Sequence, residues 1–309
     1  MTLIMKPDLE HARAWSDVFT DAMPEMPVRD WSAPGDKADI EFAFVWAPEP
    51  GALREFPNLK CIFSIGAGVD HLLKDPDLPD GVPIVRMVEP ELTQGMSEYV
   101  TMHVLRYHRE VPALEQQQRD KVWHELIAPT APSRKVGILG LGVLGQDCAR
   151  VLHALKFDLA SWSRTPKQVD GVQSFHGADG LDPFLARTEI LVCLLPLTAE
   201  TEGILNRDLF AKLPRGAALI NAGRGGHQVE ADILEALDNG QLSGATLDVF
   251  RTEPLPTDSP FWTHPKVTLT PHIASVTQQV SAIEQVVAHI RRIQAGEAPL
   301  QTVDRDLGD

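Results

Sequence analysis

Short apolar runs alternate with stretches whose apolar residues recur every three or four positions, and this alternation holds along almost the whole chain. The first kind of segment reads as buried strands, the second as helices that cover a sheet. Strands are predicted over residues 3–6, 40–46, 61–65 and 83–86. From 90 to about 118 the pattern turns helical, with Leu92, Met96, Tyr99, Val100, His103, Val104 and Tyr107 at three- and four-residue intervals. A second alternating set predicts strands over 136–139, 159–162, 190–195, 217–221, 245–249 and 267–269, with helices over 143–155, 228–238 and 277–293. Two such sets imply an α/β fold with parallel sheets in two domains. The stretch 128–134, with two prolines, separates the helical arm from the second set.

The apolar run beginning at Val136 breaks into Gly140-x-Gly142-x-x-Gly145, which reads as a strand, a tight turn and a helix start. Such glycines let backbone approach a pyrophosphate, whose charge meets free N–H groups at the helix N-terminus. Dinucleotide binding is the expectation. The competing reading is a glycine-rich turn and nothing more.

Composition narrows the class of partner. The 309 residues carry 43 acidic against 28 basic side chains, a net charge of −15, with 43% hydrophobic and 23% charged residues. That balance disfavours nucleic acid and anionic membrane surfaces, which need a cationic face. Cys61, Cys148 and Cys193 form no CxxC pair and sit in or beside apolar runs, so buried reduced thiols and a cytoplasmic setting are expected. No apolar stretch approaches the length of a membrane span, and the N-terminal residues lack a secretory signal pattern. No metal site is expected.

An NAD-binding second strand ordinarily ends in an acid that accepts from the ribose hydroxyls. Here the corresponding residues are Ser161-Trp162-Ser163-Arg164-Thr165-Pro166-Lys167, with no acid, and Asp158 lies at the wrong end of the strand. Arg164 and Lys167 offer charge, and Ser163 and Thr165 offer hydroxyl donors. That set suits a ribose 2′-phosphate, hence NADP(H) over NAD(H), against the plainer reading of a solvated basic turn.

Three later segments place polar residues at predicted strand ends: Asn221-Ala222-Gly223-Arg224-Gly225, Asp248-Val249-Phe250-Arg251-Thr252-Glu253-Pro254 and Thr270-Pro271-His272-Ile273-Ala274. Open α/β sheets bind ligands there, outside the carboxyl ends of the strands. Singly, Arg224 reads as a surface arginine, Glu253 as a solvated acid and His272 as a core histidine; their joint placement points instead to a site. Earlier, Ile65-Gly66-Ala67-Gly68-Val69-Asp70 follows a strand, and its small residues free N–H groups to meet an anion, unless it is a simple turn. Trp46 either walls that site or packs in the core.

In this order, Gly140-x-Gly142-x-x-Gly145, Arg224, Asp248-Val249-Phe250, Glu253-Pro254 and His272 resemble the D-isomer-specific 2-hydroxyacid dehydrogenases over essentially the whole chain. Trp162-Ser163-Arg164-Thr165, Leu194-Leu195-Pro196-Leu197-Thr198 and Pro254-Leu255-Pro256 leading to Pro260-Phe261-Trp262 resemble the glyoxylate/hydroxypyruvate reductases of the A type. The resemblance implies that Arg224 clamps the substrate carboxylate, that His272 is the proton donor and that Glu253 orients it. It implies cofactor contacts by Gly140, Gly142, Val143, Leu144, Gly145, Leu195, Pro196, Ala222 and Gly223, with Asp248 on the nicotinamide carboxamide. Gly66, Ala67, Gly68 and Trp46 would complete the substrate site.

It also implies a Rossmann-like cofactor domain over 100–275, inserted into a flavodoxin-like substrate domain of 1–99 plus 276–309, with a cleft between them and a homodimer formed through the arm near 100–130. The expected reaction is NADPH-dependent reduction of glyoxylate to glycolate and of hydroxypyruvate to D-glycerate. The alternatives are a bulkier 2-oxo acid such as phenylpyruvate, or a dinucleotide-sensing binding protein of the same fold. Gly226, where A-type sequences tend to carry a larger residue, is expected to loosen the Arg224 loop slightly.

Overall fold

The computed structural model describes residues 1–6 and 12–305. The chain divides into two compact units, residues 1–92 with 276–309, and residues 93–275. The first unit carries strands β1 (Thr2–Lys6), β2 (Val28–Asp30), β3 (Ile40–Val45), β4 (Cys61–Ser64) and β5 (Ile84–Val85), with helices α1 (Ala12–Ala22) and α2 (Asp70–Leu73). These strands pair in the order β2-β1-β3-β4-β5, all parallel. β3 and β4 are apolar except for Glu41 and Ser64 and almost wholly buried, as expected of central strands covered on both faces.

Two helices follow, α3 (Pro90–His108) and α4 (Val111–Asp120). The sequence pattern had suggested one helical stretch to about 118. The chain breaks it at Glu110, which adopts a left-handed φ of 55°. In the second unit come β6 (Lys135–Leu139), α5 (Val143–Ala154), β7 (Asp158–Ser163), β8 (Val172–His176), α6 (Gly177–Arg187), β9 (Ile190–Cys193), α7 (Arg207–Lys212), β10 (Ala217–Asn221), α8 (Glu230–Asp238), β11 (Leu242–Leu247) and β12 (Val267–Leu269). Helix α9 (Gln279–Gln294) returns to the first unit and packs against α1.

The second sheet runs β12-β11-β10-β9-β6-β7-β8, all parallel. Strand order reverses beside β6, the switch point at which doubly wound sheets bind dinucleotides. One core lies under α6, α7 and α8, around Phe184, Phe210, Leu219 and Leu237. The other lies under α3 and α5, around Val100, Val104, Ile138 and Leu152. Gly137 makes the close packing possible, since a Cβ there would meet Thr188 Oγ1 at 2.4 Å and Phe184 at 2.8 Å. The three cysteines are free and buried, and burial pushes each thiol up to about 12.

Candidate active site

Parallel register puts the chemistry-bearing loops side by side. Asn221 at the end of β10 pairs with Leu247 at the end of β11, and Leu247 with Leu269 at the end of β12. Asp248 and Thr270 are therefore neighbours at adjacent strand ends. Asp248 is 1% exposed. Its Oδ1 accepts from Thr270 Oγ1 at 2.6 Å and from Ile273 N at 2.9 Å, and its Oδ2 from Ala274 N at 2.9 Å. The backbone N–H of His272 donates to Asp248 O at 2.8 Å. His272 itself sits at φ 54°, a left-handed conformation that costs an ordinary L residue roughly 1–2 kcal/mol. The Asp248 contacts on either side hold it there.

Glu253 lies 19 residues earlier and meets the same imidazole. Its Oε1 accepts from Phe250 N at 2.8 Å, and its Oε2 faces His272 Nδ1 at 2.7 Å. Partial burial pushes the Glu253 carboxyl up. The hydrogen bonds from His272 and Phe250, with the charges of His272 and Arg224, outweigh that and leave it below the usual carboxylate range. An ionised carboxylate only accepts, so Nδ1 carries the proton in this contact and Nε2 is left for a ligand. The charge of Arg224 also acts on this carboxyl, as the smallest of the influences on it.

The Arg224 loop is tightly bound. Asn221 Oδ1 accepts from Gly223 N at 3.1 Å, and Asn221 Nδ2 donates to Arg224 O at 3.2 Å. The guanidinium donates to Gly223 O at 2.9 Å through Nη1. A Cβ on Gly225 would lie 1.9 Å from the carbonyl of Phe250, so only glycine lets this loop rest on the Glu253 segment. The expected loosening at Gly226 is absent: its carbonyl accepts from Gly203 N at 2.9 Å and Arg251 Nη2 at 3.2 Å, and Leu197 packs where a side chain would stand.

Sequence reasoning passed over His227, which is fully buried. Its Nδ1 accepts from Arg224 N at 3.1 Å, so Nε2 carries the proton that goes to Pro196 O at 3.2 Å. This one ring ties the arginine loop to the Leu195–Pro196 segment expected to touch cofactor. The available signal was a histidine among small residues in a loop after a strand.

The cofactor side fits a dinucleotide. Gly140, at φ 98°, approaches β9 so closely that a Cβ would stand 2.7 Å from Leu194 O; a Cβ on Gly145 would meet Gly140 O at 2.0 Å. A Cβ on Gly142 would meet nothing within 4 Å, which leaves an open cradle beneath the first turn of α5, and Gly142 supplies no side-chain cap to its N–H groups. Val143 is exposed and Leu144 half-buried at that rim, while Leu195 and Ala222 are buried. Lys167 Nζ donates to Leu141 O at 3.1 Å, which brings its charge to the glycine turn, and Arg164 and Thr165 are exposed beside it. Ser163 differs from expectation: it is buried, and its hydroxyl donates to Thr165 O at 2.8 Å. Its one proton shapes the turn and is not offered to a phosphate.

In the first unit, the Trp46 indole lies over Gly66, where a Cβ would be 2.7 Å from the ring, and its centroid is 4.3 Å from that of His71. Thr277 Oγ1 donates to Ile65 O at 2.8 Å, Met87 N to Gly66 O at 3.3 Å, and Ser64 Oγ to Gly66 O at 2.9 Å. These contacts fix the carbonyls of Ile65 and Gly66.

Residues 101–274 match the family model described as D-isomer specific 2-hydroxyacid dehydrogenase, NAD binding domain. A glyoxylate/hydroxypyruvate reductase A of Serratia proteamaculans is 44% identical over 313 aligned residues, with all of both chains covered. Among solved structures, a D-isomer specific 2-hydroxyacid dehydrogenase of Xanthobacter autotrophicus in complex with NADPH and MES superposes with a TM-score of 0.96 at 43% identity, covering 100% of this chain and 99% of that one. An NADPH-dependent glyoxylate/hydroxypyruvate reductase of Sinorhizobium meliloti, with NADP and sulfate, gives 0.92 at 43% identity with both chains covered in full.

Proposed function

The chain belongs to the D-isomer-specific 2-hydroxyacid dehydrogenases, and on that premise we propose that it reduces glyoxylate and hydroxypyruvate with NADPH. One observation carries this reading: the Glu253–His272 contact, on whose carboxylate the Arg224 charge also acts. When bound, NADPH supplies the hydride. Arg224 holds the substrate carboxylate with its fork and polarises the neighbouring carbonyl. His272 delivers the Nε2 proton to the carbonyl oxygen as carbon receives the hydride, so R–CO–COO⁻ gains one hydride and one proton and becomes R–CHOH–COO⁻. Glu253 accepts from Nδ1 and fixes the ring plane throughout.

The glycine turn and the α5 N-terminus take the pyrophosphate, and Arg164 with Lys167 takes the 2′-phosphate. A carboxylate offers about four acceptor positions. Asp248 uses three on the 270–274 segment, leaving one on Oδ2 for the nicotinamide carboxamide. The N–H groups of the Gly66-Ala67-Gly68 loop suit an anionic carboxylate, and Trp46 over Gly66 keeps the space beside that loop small.

Val122, Trp123 and Ile127 are exposed in the arm beyond α4. A second copy of the chain is the occupant that would cover them, giving a homodimer. Among the described residues no helix is long and apolar enough to cross a membrane, and three reduced, buried thiols suit the cytoplasm. Steady-state rates with NADPH and NADH over a panel of short and bulky 2-oxo acids test the reading, with His272→Asn as control. Turnover highest with NADPH and glyoxylate or hydroxypyruvate, lost by orders of magnitude in H272N, supports it. NADPH oxidation with none of the panel, or an H272N enzyme at full rate, refutes it.

A further inference from the structure

The Asp248 carboxylate does not stand alone beneath His272. Thr270 gives its proton to Asp248 Oδ1, and a threonine hydroxyl has only one. The Tyr99 hydroxyl, 2.7 Å from the same Thr270 Oγ1, must therefore be the donor in that contact. Direction is fixed along the whole line, from Tyr99 OH to Thr270 Oγ1 to Asp248 Oδ1. Tyr99 belongs to α3, 171 residues before Thr270, and is 7% exposed, with burial pushing its phenol up so that the donor proton stays in place.

The His103 ring lies 4.5 Å from that of Tyr99. It is buried and pushed down to about 4, so it brings no competing positive charge to the carboxylate at neutral pH. Beyond Asp248, the other ends of the line are Ile273 N and Ala274 N, the two residues after His272. The left-handed φ of His272 is thus held from Thr270 on one side and from 273–274 on the other, through one carboxylate.

We propose that Tyr99 and Thr270 are positioning residues for proton transfer, acting on His272 through Asp248; the proposal rests on the reading of His272 as proton donor. Without the Tyr99 donor, Thr270 is free to change rotamer and share its proton elsewhere, Oδ1 loses its fixed partner, and the turn carrying His272 relaxes. Proton transfer depends steeply on donor–acceptor placement. Cofactor contacts at the glycine turn lie on other strands and are untouched.

The test measures kcat, both KM values and the solvent isotope effect on kcat for Tyr99→Phe, Thr270→Ser, Thr270→Val and the Y99F/T270V pair. Y99F should lower kcat between roughly three- and tenfold, the scale of one hydrogen bond. Its D2O effect on kcat should exceed that of the wild type, because proton transfer becomes more rate-limiting. T270S should stay near wild type, and the double variant should be no slower than T270V, as for groups acting in series. An unchanged kcat in Y99F, multiplying losses in the double variant, or a fall in kcat with an unchanged isotope effect would overturn the proposal. Should the double variant fail to fold, Y99F and its isotope effect decide alone. An H272N enzyme that still turns over defeats the functional reading itself, whereas an inactive H272N beside a wild-type-like Y99F defeats only this relay.

Discussion

Replacing Glu253 with glutamine removes one charge from the pair that governs proton donation, at nearly constant shape. Phe250 N already binds Oε1, so the amide oxygen takes that place and the NH2 group must face His272 Nδ1. Nδ1 then becomes the acceptor, and the imidazolium, which needs to donate there, is disfavoured. At 2.7 Å two unit charges attract by about 1.5 kcal/mol with the screening of water and about 6 kcal/mol at an effective dielectric of 20. The two side chains are 38% and 36% exposed, so the lower figure governs, and measured exposed pairs reduce it to about 1 kcal/mol.

That corresponds to about fivefold in rate. The assay is NADPH oxidation with glyoxylate between pH 5 and pH 9. E253Q should lower kcat/KM at least about fivefold across this range, because its amide meets Nδ1 as a donor. An E253Q enzyme at the wild-type rate would refute the charge argument and leave Glu253 as a spacer.

Three further outcomes follow from the same geometry. Arg164→Asp should lower the ratio of NADPH to NADH efficiency about a hundredfold, since one charge-assisted contact is lost and a repulsion added; an unchanged ratio would remove Arg164 from the 2′-phosphate site. Trp123→Glu with Ile127→Glu should convert a dimer to a monomer in light scattering behind size exclusion, and a variant that stays dimeric would place the interface elsewhere. His103 is pushed down to about 4 by burial first and by the charge of Arg106 next, with Asp248 opposing. The unfolded chain binds the proton near 6.5 and the folded chain only near 4, so this contribution is complete above about 6.5 and is lost as pH falls toward 4, up to about 3 kcal/mol. Denaturant unfolding at pH 7 and pH 5 should show that loss in the wild type and a smaller one in His103→Gln; equal losses would contradict it.

The signals that were legible in the sequence are local ones. Val136 to Gly145 carries strand, turn and helix start within ten positions, and each glycine answers to a near neighbour in space, Gly140 to Leu194 and Gly145 to Gly140. The central strands β3, β4, β9 and β10 are mostly apolar because both faces are covered. The edge strands β2 and β8 gave no such signal. Val28–Asp30 is three residues long with no fully buried position, and Val172–His176 is half-exposed throughout.

Side-chain direction was likewise out of reach. Ser163 sits in the right turn, but only coordinates show its proton going to Thr165 O. Asp248 looked like a ligand for nicotinamide, and its three loop contacts come from residues 22 to 26 positions away. His227 and Tyr99 act through partners brought close by folding, so neither announces itself by spacing.

The most direct measurement is a crystal structure of the enzyme with NADP and oxamate, a non-reducible mimic of a short 2-oxo acid. The account predicts the oxamate carboxylate on the Arg224 fork, its carbonyl oxygen about 3 Å from His272 Nε2, and Nδ1 still on Glu253. Oxamate seated away from Arg224, or an imidazole whose Nε2 faces another group, would contradict it.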